Sequence, residues 1–287
     1  MQPMSASLFA DLVLSKPYFD NAGLIVALDD GQAVGFVHAG FGPNEDQSGL
    51  STQWGVTSML MVRPDHRRLG IGTELLARSE AYLRSRGAQV LYGGEIRPLI
   101  PFYLGLYGGS EMPGVLDSDA DAQRRYRAAG YQAIDRVVIL QRELGGFRPL
   151  VNRQQIQLRR QMSITAVPDP PSRSWWDACT YGQFNRERFD LSARSGGPVL
   201  ATATAWFMEP LSMSWGVRSA GLVDLDVVAS HRHQGLATFL LGETFQRLRD
   251  DGYALVEAQT MSQNEAARAL YAKLGFNQID QGVVFRK

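Results

Sequence analysis

The chain contains an internal repeat, which restricts its fold to one that two similar units can build. Residues 59–93 and 224–258 read alike, and so do the segments that end at Gly130 and Gly275. Four pairs of residues fix the alignment: Arg67 with Arg232, Gly70 with Gly235, Tyr126 with Tyr271 and Gly130 with Gly275. The first two pairs are 165 positions apart and the last two 145, so the first unit holds an insertion of about twenty residues, which we assign to 97–116.

Each unit alternates strands with helices. Leu60–Val62 and Leu222–Val228 are apolar runs that end before turn-forming residues, as strands do. Helical spacing closed by glycine predicts four helices, 70–86, 119–129, 235–251 and 264–274. Two hairpins are expected upstream of them, 23–28 with 33–39 and 184–193 with 198–207. The pattern predicts an α/β protein of two tandem modules, each a mixed twisted sheet flanked by helices, and the turn-rich segment 145–149 divides them into 1–146 and 150–287.

Composition excludes several classes of protein. The chain has 29 Lys and Arg against 29 Asp and Glu, so no net charge draws it to nucleic acid or to an anionic membrane. Its longest apolar runs fall far short of the ~18 residues that a membrane span needs, and its first residues lack a basic, signal-like start. Cys179 is the only cysteine, and no Cys/His cluster or HExxH motif occurs. We therefore expect a cytoplasmic protein without a metal, a nucleic-acid partner or a membrane partner.

A glycine-bearing turn leads from a strand into a helix in each unit. Free backbone N–H groups and the positive end of the helix dipole converge at such a turn, which favours a phosphate group. Gly72 and Ala237 leave room for a large anion. The turn lacks the Walker pattern, and Leu75 stands where a dinucleotide motif needs its third glycine. A single turn of this kind is better explained by tight packing of the helix on the strand, but its duplication with the same flanking arginine and downstream helix favours phosphate binding.

The duplicated motif resembles the coenzyme-binding turn of the Gcn5-related N-acetyltransferase (GNAT) family, written Q/R-x-x-G-x-G/A after a strand. The two turns read RRLGIG from Arg67 and RHQGLA from Arg232. The family's last helix often reads NxxAxxLYxxxGF, and residues 264–276 match it as NEAARALYAKLGF. The first unit matches only in part, because Asp119 replaces the asparagine. The resemblance covers 8–144 and 154–287 and implies a tandem acetyltransferase.

The resemblance implies which residues meet acetyl-CoA. Backbone N–H groups of the turns would hold the pyrophosphate, that is Arg67, Arg68, Leu69, Gly70, Ile71, Gly72 and Thr73 in the first module and Arg232, His233, Gln234, Gly235, Leu236, Ala237 and Thr238 in the second. Val62 and Val227 lie at the ends of the strands that would pair with the pantetheine arm. A backbone N–H of one of these valines would stabilise the oxyanion. Asn264 would bind the pantetheine.

Three residues are candidates for proton transfer. By the same resemblance Tyr271, and Tyr126 in the first module, would protonate the departing thiolate. Both tyrosines are explained as well by packing on the sheet. Asp224 is a candidate base, although it could equally face solvent, and Met59 replaces it in the first module. Four residues of the insertion, Phe102, Tyr103, Tyr107 and Glu111, could form a substrate wall or serve packing between the modules.

The expected activity is acetyl transfer from acetyl-CoA to a primary amine of a small molecule, peptide or protein, by direct attack on the thioester. The second module has the fuller set of residues and is expected to catalyse, with the first binding the coenzyme for structure or regulation. The alternative is a non-catalytic protein that binds or senses acetyl-CoA, with one or both modules degenerate. Thiol release with a panel of amines separates the two.

Coenzyme A should bind at both turns. Calorimetry should show up to two sites per chain, and Gly72→Glu and Ala237→Glu should each abolish one, because they add bulk and negative charge where the pyrophosphate lies. If the double variant kept both sites, the assignment of the turns would be wrong.

Overall fold

The computed structural model describes residues 5–287. The first half contains α1 (Ala6–Phe9), β1 (Leu24–Asp29), β2 (Gln32–Pro43), β3 (Leu50–Val62), α2 (Ile71–Ser85), β4 (Val90–Gly93), β5 (Val115–Leu116), α3 (Ala120–Ala128) and β6 (Gln132–Glu143). The second half contains α4 (Arg153–Gln161), β7 (Met162–Pro168), α5 (Trp175–Tyr181), β8 (Arg186–Ala193), β9 (Val199–Phe207), α6 (Glu209–Trp215), β10 (Ser219–Val227), α7 (Leu236–Asp250), β11 (Leu255–Met261), α8 (Glu265–Lys273) and β12 (Asn277–Arg286). In this part of the chain, no helix has both the length and the apolar character needed to cross a membrane.

The sequence predicted most of the repeated elements. The four predicted helices are α2, α3, α7 and α8, each within one or two residues of its expected ends. The two hairpins are β1–β2 and β8–β9, and the mixed α/β class is confirmed. Strand β3 begins ten residues earlier than the apolar run at Leu60 indicated, because its first half is largely exposed and lacks an apolar pattern.

The two halves share one continuous sheet, which the sequence did not predict. The strand order is β1-β2-β3-β4-β12-β6-β11-β10-β9-β8-β7, with β5 paired to β12 at the side. The last strand of each half has therefore crossed into the other. Strand β12 is antiparallel to β4 and β6, and β6 is antiparallel to β11. Each closing strand thus supplies the backbone partners that the other half lacks.

One face of the sheet carries α2, α3, α4, α7 and α8, and the other carries the insertion together with α5 and α6. Ala39 and Phe41 on β2 pack with α2, whereas Gly40 and Gly42 between and beyond them face the insertion. A Cβ at Gly40 would lie 2.6 Å from the ring of Phe102. Glycine at these positions lets the insertion lie directly on the sheet.

The insertion joins the two halves. Its aromatic residues Phe102 and Tyr103 are buried in a cluster that also holds Trp206 of β9. The indole N–H of Trp206 donates to the Ser110 carbonyl at 2.9 Å, and the Ser110 N–H donates to Glu257 of β11 at 2.6 Å. Packing between the halves therefore accounts for Phe102 and Tyr103.

Replacing Phe285, which belongs to the second half of the sequence, should destabilise the first half of the structure. Phe285 lies on β12, is fully buried, and stacks on Tyr126 in the cluster beneath α2. Phe285→Ala should cost ~3–5 kcal/mol and accelerate amide hydrogen exchange in α2. The matched variant Ile279→Ala, at an exposed position of the same strand, should do neither. Unchanged exchange in α2 with Phe285→Ala would contradict the exchanged strand.

Candidate active site

The two turns have the same backbone conformation. Arg68 has φ 66° and His233 has φ 62°, and the glycines that cap α2 and α7, Gly70 and Gly235, have φ 83° and 78°. The left-handed conformation suits glycine and costs energy elsewhere, so two such residues in register define a specific turn.

The turns present unpaired backbone donors. Across the described residues, the N–H groups of 68–72 and of 233–237 donate to no protein acceptor. Half of these ten residues are exposed, namely Arg68, Leu69, Gly70, His233 and Gln234. The prediction was too wide at Arg67, Thr73 and Arg232, because their N–H groups already donate to backbone carbonyls within the turns. Convergent free donors at the start of a long helix form a concave site for an anion.

The motif arginines fasten the turns to the strands. The Nε of Arg67 donates to the Val62 carbonyl at 3.2 Å, and the Nε of Arg232 donates to the Val227 carbonyl at 3.0 Å. This shared contact gives the arginines a structural role within the turn. It explains why an arginine stands at the same place in both units.

The strand before each turn separates from its parallel neighbour. The last parallel pairs are Thr57 with Gly93 and Leu222 with Ala258. Immediately after them the register against the other neighbour shifts, so that Ser58 and Val223 are extra residues in matching β-bulges. Beyond the bulges β3 and β10 run on without a partner on this side. A gap opens there in each half.

Val62 and Val227 point their backbone N–H groups into these gaps. The residue after each of them donates to the neighbouring strand, with Arg63 bonded to Val34 and Val228 to Leu200. Because successive residues of an antiparallel strand alternate in direction, the valine N–H faces the opposite side. This geometry is what a ligand carbonyl in the gap requires.

The two turns differ in what covers them. A Cβ at Gly72 would lie 2.6 Å from the guanidinium carbon of Arg125, so this cation lies against the start of α2. In the second half, Gln154 and Gln155 of α4 donate to the carbonyls of Gln234 and Gly235. The first turn therefore has a cation beside it, and the second is held by hydrogen bonds from α4.

Asn264 and Asp119 cap their helices. The Asn264 side-chain oxygen accepts from the Ala267 N–H at 3.1 Å, and Asp119 accepts from the Ala122 N–H at 3.0 Å. Both residues suit the N-cap position, so the substitution keeps the structural role of this position.

Both candidate tyrosines are buried beside the gaps. Tyr126 covers Gly93, the last paired residue of β4, where a Cβ would lie 2.5 Å from the ring. Tyr271 packs on Phe276 with ring centroids 5.1 Å apart. Burial raises the pKa of both hydroxyls well above the usual range, and the charge of Glu111 raises that of Tyr271 further. Each hydroxyl therefore keeps its proton at neutral pH.

Asp224 is part of an ion-pair cluster. Its carboxylate accepts from Arg97 at 3.0 Å and from Arg173 at 2.8 Å. Arg97 belongs to the insertion of the first half and also binds Glu111 at 2.9 Å. Sequence reasoning singled out Glu111 only as a wall residue and missed Arg97. No local pattern could place them at β10, because the strand exchange brings them there.

The first half lacks a comparable carboxylate on its strand. Met59 is buried in the cluster under the insertion. Nearby, His38 lies 3.0 Å from the Tyr103 hydroxyl, and burial lowers its pKa to about 4. Among residues 5–287, no three His, Cys, Asp or Glu residues come together in a way that could hold a metal ion.

Two curated relatives match part of the chain. A mycothiol acetyltransferase of Cellulomonas flavigena is 36% identical over 84 residues, and a probable N-acetyltransferase family 8 member 5 of Mus musculus is 34% identical over 84 residues. These matches cover 28% and 29% of the chain but only 24% and 36% of the relatives. The chain thus spans about a quarter and a third of their lengths.

Several solved structures share the fold. A tandem GNAT protein from the clavulanic acid biosynthesis pathway superposes with a TM-score of 0.62 at 16% identity, covering 94% of this chain and 84% of that one. A glucosamine N-acetyltransferase region of a fungal multi-domain GH3 β-N-acetylglucosaminidase has a TM-score of 0.67 at 18% identity, covering 98% and 36%. At these identities the likeness concerns the fold alone.

The acetyltransferase (GNAT) family model matches the chain twice, over residues 5–105 and 155–276. Each match contains one separated strand and one turn. The chain therefore belongs to the GNAT acetyltransferase family and carries its module twice.

Proposed function

We propose that the protein transfers an acetyl group from acetyl-CoA to a primary amine of a small molecule or peptide, by direct attack of the amine on the thioester. The family uses acetyl-CoA as co-substrate and acts on amines. The observation that carries the proposal is the gap in each half, which has free N–H donors at one end and a buried tyrosine beside it. The single Cys179 supports a cytoplasmic location as part of the proposal.

The coenzyme would lie along the turn and the gap. The N–H groups of 68–72 and 233–237 would hold its pyrophosphate, and the valine N–H groups would hold the pantetheine or acetyl carbonyl. Arg68, Leu69 and Gly70 are exposed and the Arg125 guanidinium lies against Gly72, so the residues of the first turn fit this anionic group. Asn264 keeps its proposed pantetheine contact beside its cap role.

The second module is proposed as the catalytic one. Tyr271 holds its proton at neutral pH and would give it to the sulfur as the C–S bond breaks. The Val227 N–H would stabilise the oxyanion of the tetrahedral intermediate. Asp224 remains the sequence-derived candidate for the base.

The first module is proposed to bind the coenzyme without turnover. It keeps the turn and Tyr126, but Met59 and the insertion fill the face from which an acceptor would approach. We retain 1–146 and 150–287 as the two functional modules, although β6 and β12 are exchanged between their sheets. A chain inactive in both halves would instead be a coenzyme-binding or sensing protein.

Tyr271→Phe should lower kcat by ~10²- to 10⁴-fold with little change in coenzyme affinity, because the variant loses a positioned proton donor and keeps the ring. The matched variant Tyr126→Phe should leave turnover nearly intact. Steady-state thiol release and calorimetry measure both. The opposite result would move catalysis to the first module.

Arg125→Ala should weaken coenzyme binding at the first turn by roughly 10- to 100-fold, because it removes a charged donor beside the phosphate site. The background Ala237→Glu blocks the second turn, so that calorimetry reports the first alone. Arg124→Ala removes the same charge from an exposed position of α3 and should change the Kd little. Equal effects of the two variants would show that Arg125 acts only through net charge.

A further inference from the structure

Glu111 lies across the gap of the second half. Its backbone carbonyl accepts from the Gln259 side chain of β11 at 2.9 Å. Its carboxylate accepts from Arg97 at 2.9 Å, and Arg97 also donates to the carbonyl of the bulge residue Val223 on β10 at 2.8 Å. Glu111 is thereby tied to both strands just where they separate.

The segment that carries Glu111 is held rigidly. Gln259 also donates to the Gly108 carbonyl at 2.8 Å. The Ser110 N–H and carbonyl are both bonded, to Glu257 of β11 and Trp206 of β9. A side chain on such a segment has a fixed position relative to the gap, as a group that takes part in proton transfer needs.

A cleft of about 350 Å³ leads from the surface toward this point. Three segments line it: residues 45–47, residues 97–100 of the insertion, and residues 173–181 around α5. At its inner end Arg97 lies over the ring of Tyr181, 5.9 Å from the centroid. The buried Tyr181 side chain faces Glu111, and its hydroxyl lowers the pKa of that carboxyl group by hydrogen bonding. The cleft thus reaches Arg97 and Tyr181, two side chains that contact the Glu111 carboxyl group.

The charges in and behind the cleft favour a cation. The carboxyl groups are those of Glu45, Asp46, Glu111, Asp177 and Asp224, and the guanidinium groups are those of Arg97, Arg173 and Arg186. The excess of two carboxyl groups suits a protonated amine and disfavours an acidic acceptor.

The geometry points to Glu111, supplied by the first half, as the group that takes the proton from an ammonium acceptor bound in this cleft, for transfer in the second half. The inference rests on the proposed function and names its acceptor class, a small, non-acidic primary amine. Asp224 would then act as a positioning residue, since it orients Arg97 and is held by two guanidinium groups.

The proton balance closes with the groups present. Glu111 takes one proton from the ammonium ion, and the neutral nitrogen forms its bond to the thioester carbon. The C–S bond breaks, and the sulfur takes the Tyr271 proton. The nitrogen loses its second proton to the Tyr271 phenolate. Glu111 releases its proton to solvent through the cleft, so each turnover yields amide, thiol and one proton.

The environment of Glu111 suits this role. Burial raises its pKa to about 7, although Arg97 opposes the shift. The other groups that face it are Asp224, Tyr181 and Tyr271, and the two tyrosines stay protonated at neutral pH. Glu111 must be ionised to accept a proton, so kcat/KM should rise with pH through about 7.

The test is the pH profile of thiol release with ethylamine and with 2,2,2-trifluoroethylamine, within a wider panel of primary amines. Glu111→Gln should lower kcat/KM for ethylamine by ~10²- to 10⁴-fold and remove the limb near pH 7. The defect should shrink below about tenfold for the weakly basic amine, which is already neutral at pH 7. Asp224→Asn should keep the rise of kcat/KM with pH but change the pH at which it occurs. The matched control Glu143→Gln, at an exposed position of β6, should resemble the wild type.

Two results would overturn the inference, and they are distinguishable. If Glu111→Gln kept the wild-type rate and the wild-type pH dependence, the role of Glu111 would be overturned and the proposed function would stand. If the wild type released no thiol with any amine, both would be overturned. Thermal unfolding and coenzyme binding report whether Glu111→Gln stays folded. If it does not, Glu111→Asp replaces it, and retention of an unshifted limb there would count against Glu111.

Discussion

Backbone pairing in the centre of the sheet is the interaction on which the rest of the structure depends. Strands β6 and β12 close opposite halves, and because they have changed places, both hydrogen-bonded neighbours of each strand belong to the other half. The exchange fixes the halves relative to each other. It thereby brings Arg97 of one half to β10 of the other half and Glu111 to β11.

The candidate sites arise where the same pairing stops. Strands β3 and β10 keep their antiparallel neighbours but lose their parallel ones beyond the bulges at Ser58 and Val223. Backbone N–H groups that have no partner within the protein remain free to donate to a ligand. Where such groups lie beside the start of a helix, they favour a ligand that accepts hydrogen bonds. The order of the strands and the position of the candidate sites thus both follow from the need of backbone N–H and C=O groups for hydrogen-bond partners.

The sequence predicted what is encoded locally. Helices α2 and α7 and their capping glycines follow from apolar spacing and from residues that tolerate positive φ. The strand exchange could not be predicted, because neither strand's length nor its apolar pattern depends on which half the strand completes. Either arrangement also pairs both strands in the antiparallel sense. For the same reason Glu111 and Arg97 carried no signal of a second-half site, since contacts over more than a hundred residues depend on topology.

The position of β12 also constrains how the chain is made. A ribosome delivers the first half more than a hundred residues before β12 emerges, and until then β4 and β6 have no strand between them. Open strand edges promote pairing with other chains. Synthesis therefore passes through a stage in which the amino-terminal half is exposed to aggregation or needs a chaperone, and a chain that stops before residue 277 never leaves it.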